Sequence, residues 1–459
     1  MPQPSTRSTQ PYDEAPYAWT VVWACFCALA VIFGVSYSFA AFFAPFTLEF
    51  QAQRADVSLV FGLSGLIYFL LGAGAGMLAD RYGPRAVTCS GMVLIAAGLL
   101  ASSFATSLAQ VMLAYGVGIG LGVGLVYAPA IACVQPWFQR RRGLAAGLAS
   151  AGIGAGTLVV PLLAAWAIET WEWRVALRLL AAGVLILGLG ATLLLRRAPV
   201  PAVGSGEAGA DGGKAEANAG SGGNGEGDSK VAGNSSSSVS VSSGSDSSDS
   251  SNGNNGNNGS HNNGLSLRQA LRSPKFIWLY VMTALSAPSM FIPFAHVSAA
   301  ARDLGINAGQ AVGLVGLIGI GSLSGRFAIG ALADRIGRPV TLVLMQACLG
   351  LSFLLWWQAD AYPAMLVFAL WMGVSYGGIV SLLPALCMDF FGARAVASII
   401  GTLYTAAALG NLAGPYVAGW AFDATGSYAT VIWGCLLLSA LATGTAWLSV
   451  RPAGLRNAA

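Results

Sequence analysis

The chain has 459 residues, of which 55% are hydrophobic and only 9% charged, with a formal net charge of +4. Soluble globular chains carry roughly 25% charged residues, so these numbers, with a mean hydropathy of +0.66, exclude a water-soluble domain and predict an all-α membrane protein. The small positive charge argues for no nucleic-acid partner, because basic residues in such a chain follow membrane topology.

Residues 1–17 are polar and lack the basic-then-apolar order of a cleaved signal, so they read as a disordered cytoplasmic N-terminus. About 20 apolar residues cross ~30 Å of hydrocarbon. That rule places spans at 18–45, 57–79, 86–106, 109–133, 143–167 and 175–195, and again at 276–300, 309–333, 340–358, 363–388, 395–420 and 427–450. The expected architecture is therefore twelve transmembrane helices in two six-helix halves, residues 18–197 and 265–451. Between them, 198–264 is Gly-, Ser- and Asn-rich, and from Pro201 to Gly264 it holds no Leu, Ile, Met or aromatic residue. Such a segment cannot bury enough apolar surface to fold and reads as a solvated linker. Leu267, Ala270 and Leu271 then share one helical face beside Arg268 and Arg272, which suggests a short interfacial helix. Residues 452–459 read as a tail. Seven scattered cysteines offer no CxxC pair and no metal spacing, and no cofactor motif appears. The glycine run from Gly116 to Gly124 follows no strand and reads as helix packing rather than a nucleotide loop.

One side of this topology collects every Lys and Arg except Arg54, Arg174, Arg178 and Arg302 on the other side and Arg326 within the membrane. The positive-inside rule then puts both termini and the linker in the cytoplasm of an inner (plasma) membrane.

Gly76–Arg85, GMLADRYGPR, returns as Gly330–Pro339, GALADRIGRP, each between the second and third spans of its half. The spacing from Gly147 to Pro161 also equals that from Gly401 to Pro415. A six-span parallel repeat with this decapeptide resembles the major facilitator transporters, whose substrate site lies at mid-membrane between the halves. In the loops, Gly76, Asp80, Arg81, Gly83 and Arg85, with Gly330, Asp334, Arg335 and Gly337 in the second copy, form the motif that the resemblance assigns to conformational gating. Gly76 is expected to permit tight helix contact. From Trp137, WFQRRRGLAAGLASAGIGAG is similar to the fifth-helix signature of the monocarboxylate transporter family. Pro293–Ile306, PFAHVSAAARDLGI, resembles that family's bacterial branch. The resemblance implies that Arg326 contacts a substrate carboxylate. Three features depart from the family and from the related oxalate/formate antiporters. Ser322 replaces an aspartate, span 1 has no lysine, and Ala407 stands where the antiporters have a membrane lysine. One membrane cation favours a single-carboxylate substrate over a dianion.

Arg326 lies about eight residues from Asp334, ~12 Å into the membrane. A guanidinium there can grip a carboxylate through two parallel hydrogen bonds, or it can brace neighbouring helices through their carbonyls. Tyr127, Ser322, Tyr376, Tyr404 and Asn411 are candidate substrate contacts or, equally, helix bridges. His296 and Asp303 are candidates for a proton path, and a lone histidine can also simply bridge helices. Regular helices put Asp303 and Arg326 ~20 Å apart in depth, too far for an ion pair without a break in the seventh span, which Pro288 and Pro293 permit. The expected function is secondary transport of a small organic monoanion such as lactate or pyruvate, coupled to protons, by alternating access. The alternatives are an exchanger or exporter of dicarboxylates or drugs, and a transporter-like nutrient sensor. No nucleophile or metal set points to an enzyme.

Overall fold

The computed structural model describes residues 16–138, 142–196, 264–392 and 395–450. The linker, the tail and nearly all of the N-terminal segment lie outside the described residues. Twelve long helices run through the rest: α1 (Tyr17–Glu49), α2 (Arg54–Tyr82), α3 (Pro84–Ser102), α4 (Leu108–Val134), α5 (Arg142–Thr170), α6 (Trp173–Leu193), α7 (Pro274–Asp303), α8 (Ala308–Ile336), α9 (Arg338–Trp357), α10 (Tyr362–Phe391), α11 (Val396–Thr425) and α12 (Ala429–Val450). Eleven are long and apolar enough to cross a membrane. The other, α11, has 30 residues but breaks its apolar run with Thr402, Tyr404, Thr405 and Asn411. Each helix matches an expected span to within a few residues. A bend at Ser38, whose hydroxyl returns to the Gly34 and Val35 carbonyls, divides α1.

The packing repeats as the sequence does. In the first half α1 packs on α5 and α6, α4 on α2 and α3, and α3 on α6. Adding six to each number gives the packing of the second half: α7 on α11 and α12, α10 on α8 and α9, α9 on α12. The halves meet through α2 against α11 and α8 against α5, a pair that the same rule interconverts.

Small residues make these contacts close. In α4, Gly116, Gly120 and Gly124 lie against α2 while Gly118 and Gly122 lie against α3, so the glycine run packs two helices at once. A side chain at Gly122 would run into Ile95 and the Gly91 carbonyl. Such small faces let backbones approach where lipid removes the hydrophobic drive between helices.

The two decapeptide turns are structurally equivalent. Gly83 and Gly337 end α2 and α8 at φ +90° and +93°, each donating its N–H to the alanine four residues back at 2.9 Å. The short helix Leu267–Leu271 forms as expected, closed by a capping box between Ser266 and Gln269, with Ala270 buried. It is tied to α10 by the Leu265 N–H donating to the Phe391 carbonyl at 2.8 Å.

Call the face where α1 begins and α12 ends proximal, and the opposite face distal. Near the distal face α2 and α11 touch closely, with Gly419 against Ala55 and Gly62 against the Leu412 carbonyl. Towards the proximal face Gly72, Gly74 and Gly76 have nothing within 4 Å of a notional Cβ, and neither has Gly330. The tight contact expected at Gly76 is thus not made here, because Gly76 faces open space while Ala75 and Ala79 of the same helix are buried.

The positive φ at the paired turns admits only glycine without strain, and such strain costs of order 1–3 kcal/mol. Gly83→Ala and Gly337→Ala should each lower the thermal unfolding midpoint of the purified protein. Gly330→Ala, in open space at ordinary helical geometry, should leave it unchanged or raise it.

Candidate functional site

The centre of the site is Arg326 on α8, a helix gripped from both sides. Gly321 and Gly325 press on the Leu370 and Val374 carbonyls of α10, and Gly373 and Gly377 press back on Ile318 and Ser322. On the other side Gly319 of α8 and Gly154 of α5 lie each against the other's carbonyl. Backbone contacts of this kind fix the helix and therefore the root of the arginine side chain.

Arg326 opens onto a cavity of about 60 Å³ and is its only charged wall residue. It forms no ion pair with any described residue, and its buried Nε has no hydrogen-bond partner. An unpaired cation in this setting carries a substantial desolvation cost, which an incoming anion would offset. Tyr127, Tyr376 and Tyr404 share the wall with it, as does Tyr68. Each half contributes to this ring: Tyr68 and Tyr127 from the first, Tyr376, Tyr404 and Arg326 from the second. The Tyr376 hydroxyl meets that of Tyr37 on α1 at 3.2 Å, a hydrogen bond across the halves.

Distal to the cavity the halves are stacked shut. Tyr37 of α1 lies on Phe294 of α7 with ring centroids 4.1 Å apart at 19°, and Phe294 contacts Tyr376 edge-on. Beyond this plug stands a polar latch. Arg54, at the start of α2, holds Asp303 at the end of α7 through two bonds of 2.7 and 2.8 Å. It also donates to the Tyr428 hydroxyl at 2.9 Å and lies 3.8 Å from the Phe422 ring centroid. Asp423 of α11 accepts from the backbone N–H groups of Arg54 and Ala55, capping α2 from the other half. His296 is fully buried within this network, with Nε2 2.9 Å from the Pro415 carbonyl and 3.0 Å from Ser58, and Nδ1 3.0 Å from Tyr428. A carbonyl can only accept, so Nε2 carries the proton, and Nδ1 is free to accept from the Tyr428 hydroxyl.

With this architecture in view, comparison with known proteins is decisive. The sequence pattern of the Major Facilitator Superfamily matches residues 24–415 and 289–458. The chain belongs to the Major Facilitator Superfamily. It is similar to Monocarboxylate transporter 13 of Bos taurus, 28% identical over 433 residues covering 93% of this chain and 88% of the relative. Monocarboxylate transporter 12 of Rattus norvegicus is 26% identical, with 97% and 88% covered. The MFS transporter asaE of Aspergillus flavus is 25% identical, with 91% and 83% covered. In fold it is similar to a bacterial homologue of the human lysosomal transporter Spinster, solved in an inward-facing, unoccupied conformation. That match has TM-score 0.65 and 14% identity, over 95% of this chain and 97% of that one. The chain is thus a multi-pass membrane transporter and not an enzyme.

Within this facilitator fold the expected site residues separate. Arg326, Tyr127, Tyr376 and Tyr404 share one cavity. Ser322 does not line it: α10 covers that face of α8, Gly377 lies on the Ser322 backbone, and the buried hydroxyl has no partner. Asn411 also lies off the wall, where its Nδ2 donates to the Gly62 carbonyl at 3.3 Å and bridges α11 to α2. His296 and Asp303 belong to the distal latch, and Asp303 pairs with Arg54 rather than with Arg326. In the second decapeptide turn Arg338 holds Asp389 of α10 at 2.9 and 3.0 Å. Its contact to Asp334 is only a 4.0 Å approach between exposed groups. Tyr68 and Arg54 were missed by the sequence reading. Opposite charges at the distal ends of α2, α7 and α11 were the available signal for the latch.

Removing the latch cation deletes an ion pair and a cation–π contact, each worth about 1 kcal/mol. Arg54→Ala should therefore shift the conformational balance roughly tenfold or more towards distal opening. Spin labels at the exposed positions Gln51 and Gln310 should report a larger long-distance population in the variant. An unchanged distance distribution would show that Arg54 does not hold the halves together.

Proposed function

We propose that this transporter moves a small organic monocarboxylate, such as lactate or pyruvate, coupled to protons. The observation that carries the reading is Arg326: one unpaired guanidinium in an otherwise uncharged cavity, ringed by tyrosine hydroxyls from both halves. A guanidinium matches a carboxylate with two parallel N–H···O bonds, and tyrosine hydroxyls can donate to the remaining lone pairs. A single cation balances a single negative charge and leaves a second carboxylate uncompensated. Family likeness to proteins named monocarboxylate transporters agrees with this.

The mechanism follows from the two ends of the molecule. With the proximal face taken as cytoplasmic, as the distribution of basic residues favours, the latched distal face is external and the structure corresponds to an inward-facing state. Residues 18–197 and 265–451 rock about the cavity, and the substrate is exposed to one side at a time. The gating turns at Gly76–Arg85 and Gly330–Pro339 engage when the cytoplasmic side closes, which is when Gly76 and Gly330 would meet neighbours.

His296 links the proton to this cycle. In its neutral form Nδ1 accepts from Tyr428, whose oxygen in turn accepts from Arg54. A proton on Nδ1 removes that acceptor, reverses the Tyr428 bond and adds a cation beside Arg54. Asp303 and Asp423 already serve Arg54 and the α2 terminus, so they offer the new charge little. Protonation thus loosens the latch and favours opening to the outside, where the carboxylate then binds.

Uptake of labelled lactate, pyruvate and oxalate into proteoliposomes, with and without an imposed pH gradient, tests the whole reading. Lactate or pyruvate should accumulate only with the gradient, and oxalate should not. Arg326→Ala should abolish uptake, and Arg326→Lys should lower it by about tenfold because the ammonium cannot reproduce the fork. His296→Ala should lose gradient-driven accumulation while retaining exchange. Accumulation indifferent to the gradient would rule out symport.

A further inference from the structure

The geometry points to a phosphate site remote from the Arg326 cavity: a recess at the proximal end of the first half whose three arginines take the headgroup of an anionic phospholipid. It shares no residue with the central cavity.

Helices α2, α3 and α6 meet the proximal face around a recess of about 410 Å³, within the ~300–1,000 Å³ usual for a ligand site. Arg81 comes from the last turn of α2, Arg85 from the first turn of α3 and Arg196 from just beyond α6. All three are exposed, and none makes an ion pair among the described residues. No carboxylate is on the wall, and Asp80, next to Arg81 in sequence, is not part of it. Arg196 is held in place by its surroundings. Its carbonyl accepts from the Cys133 thiol at 2.9 Å and from the Trp137 indole at 3.1 Å, and its guanidinium lies 5.0 Å from the Tyr17 ring centroid. Three like charges on one recess repel one another, and a phosphate relieves that repulsion through paired N–H···O bonds. The first residue of α3, Pro84, also lines the recess, so the positive end of that helix adds to the attraction.

The internal repeat supplies a contrast. The second decapeptide turn also carries two arginines, Arg335 and Arg338, but there Asp389, two residues before the end of α10, takes Arg338. The corresponding end of α4 and the turn after it, Val134–Phe138, carry no acid. The first half therefore keeps its arginines but lacks the carboxylate that answers them in the second. A lipid suits the position better than a free phosphate ester. The recess lies where three apolar helices reach the membrane surface. Met77 and Leu78 on α2 and Leu193 and Leu194 at the end of α6 are exposed on the membrane side of the arginines, and Tyr82 is exposed on the wall itself. A headgroup in the recess would lay its acyl chains along these side chains, beside an interfacial aromatic.

A ligand that binds only the folded chain raises its unfolding midpoint. The purified full-length chain in detergent can therefore be titrated with dioctanoyl phosphatidylglycerol, dioctanoyl phosphatidylcholine and glycerol phosphate while thermal unfolding is followed. Phosphatidylglycerol should act at a half-saturating concentration about tenfold or more below that of the other two. Arg81→Gln, Arg85→Gln and Arg196→Gln should each raise that concentration about fivefold, and the triple variant about a hundredfold. Arg335→Gln, in the second turn, should leave it unchanged. Should the triple variant not fold, Arg196→Gln decides alone, because it lies outside the decapeptide. Phosphatidylcholine equal to phosphatidylglycerol would overturn the inference, and so would a wild-type response in the arginine variants or an equal loss in Arg335→Gln. Glycerol phosphate as potent as the lipid would overturn the assignment to phospholipid.

Discussion

A lone guanidinium in an apolar wall is the constraint on which the rest depends. At the centre of a membrane span such a charge costs at least ~2.5–3.5 kcal/mol, and no described residue neutralises Arg326. The helix that carries it is held by backbone contacts on both sides, Gly321 and Gly325 against α10 and Gly319 against α5. These contacts fix the backbone from which the Arg326 side chain springs. The proposed anionic substrate would meet that charge, and the surrounding tyrosine hydroxyls would give it further donors.

The second organising feature is the asymmetry between the two faces. At the distal face an aromatic stack and the Arg54 network join the halves, and His296 threads its hydrogen bonds through the same network. At the proximal face a side chain added at Gly72, Gly74, Gly76, Gly83 or Gly330 would meet nothing within 4 Å. Because α2–α11 and α5–α8 are exchanged by the internal repeat, the two contacts between the halves are equivalent, as the proposed rocking of one half on the other requires. The latch is built from long, partly exposed charges rather than from buried area. Such bonds contribute about 1 kcal/mol each, little enough to be broken in the proposed transport cycle.

Much of the architecture was legible in the sequence because it rests on local physics. Span lengths follow from hydrocarbon thickness, and all twelve helices fall where apolar runs predicted them. Gly83 and Gly337 announced their turns because only glycine tolerates that φ. The alternate small residues of α4 announced close packing, and the structure divides them between α2 and α3. Ser322 and Asn411 were less readable. Both are polar residues on cavity-side helices, but whether such a residue faces a cavity or a neighbour depends on which helix covers it. Gly377 brings α10 over Ser322, and Gly62 and Gly65 bring α2 over Asn411.

By itself the sequence determined that this is a repeated, multi-pass all-α membrane protein with one charge inside an apolar span, because hydropathy, repeat and charge placement act residue by residue along the chain. Tertiary structure decided which groups share a site. It brought Tyr68 to Arg326, set Asp303 on Arg54, and joined His296 to the same distal network through Tyr428. Those pairings join residues hundreds of positions apart, and they are fixed by how two six-helix halves meet, which no local pattern encodes.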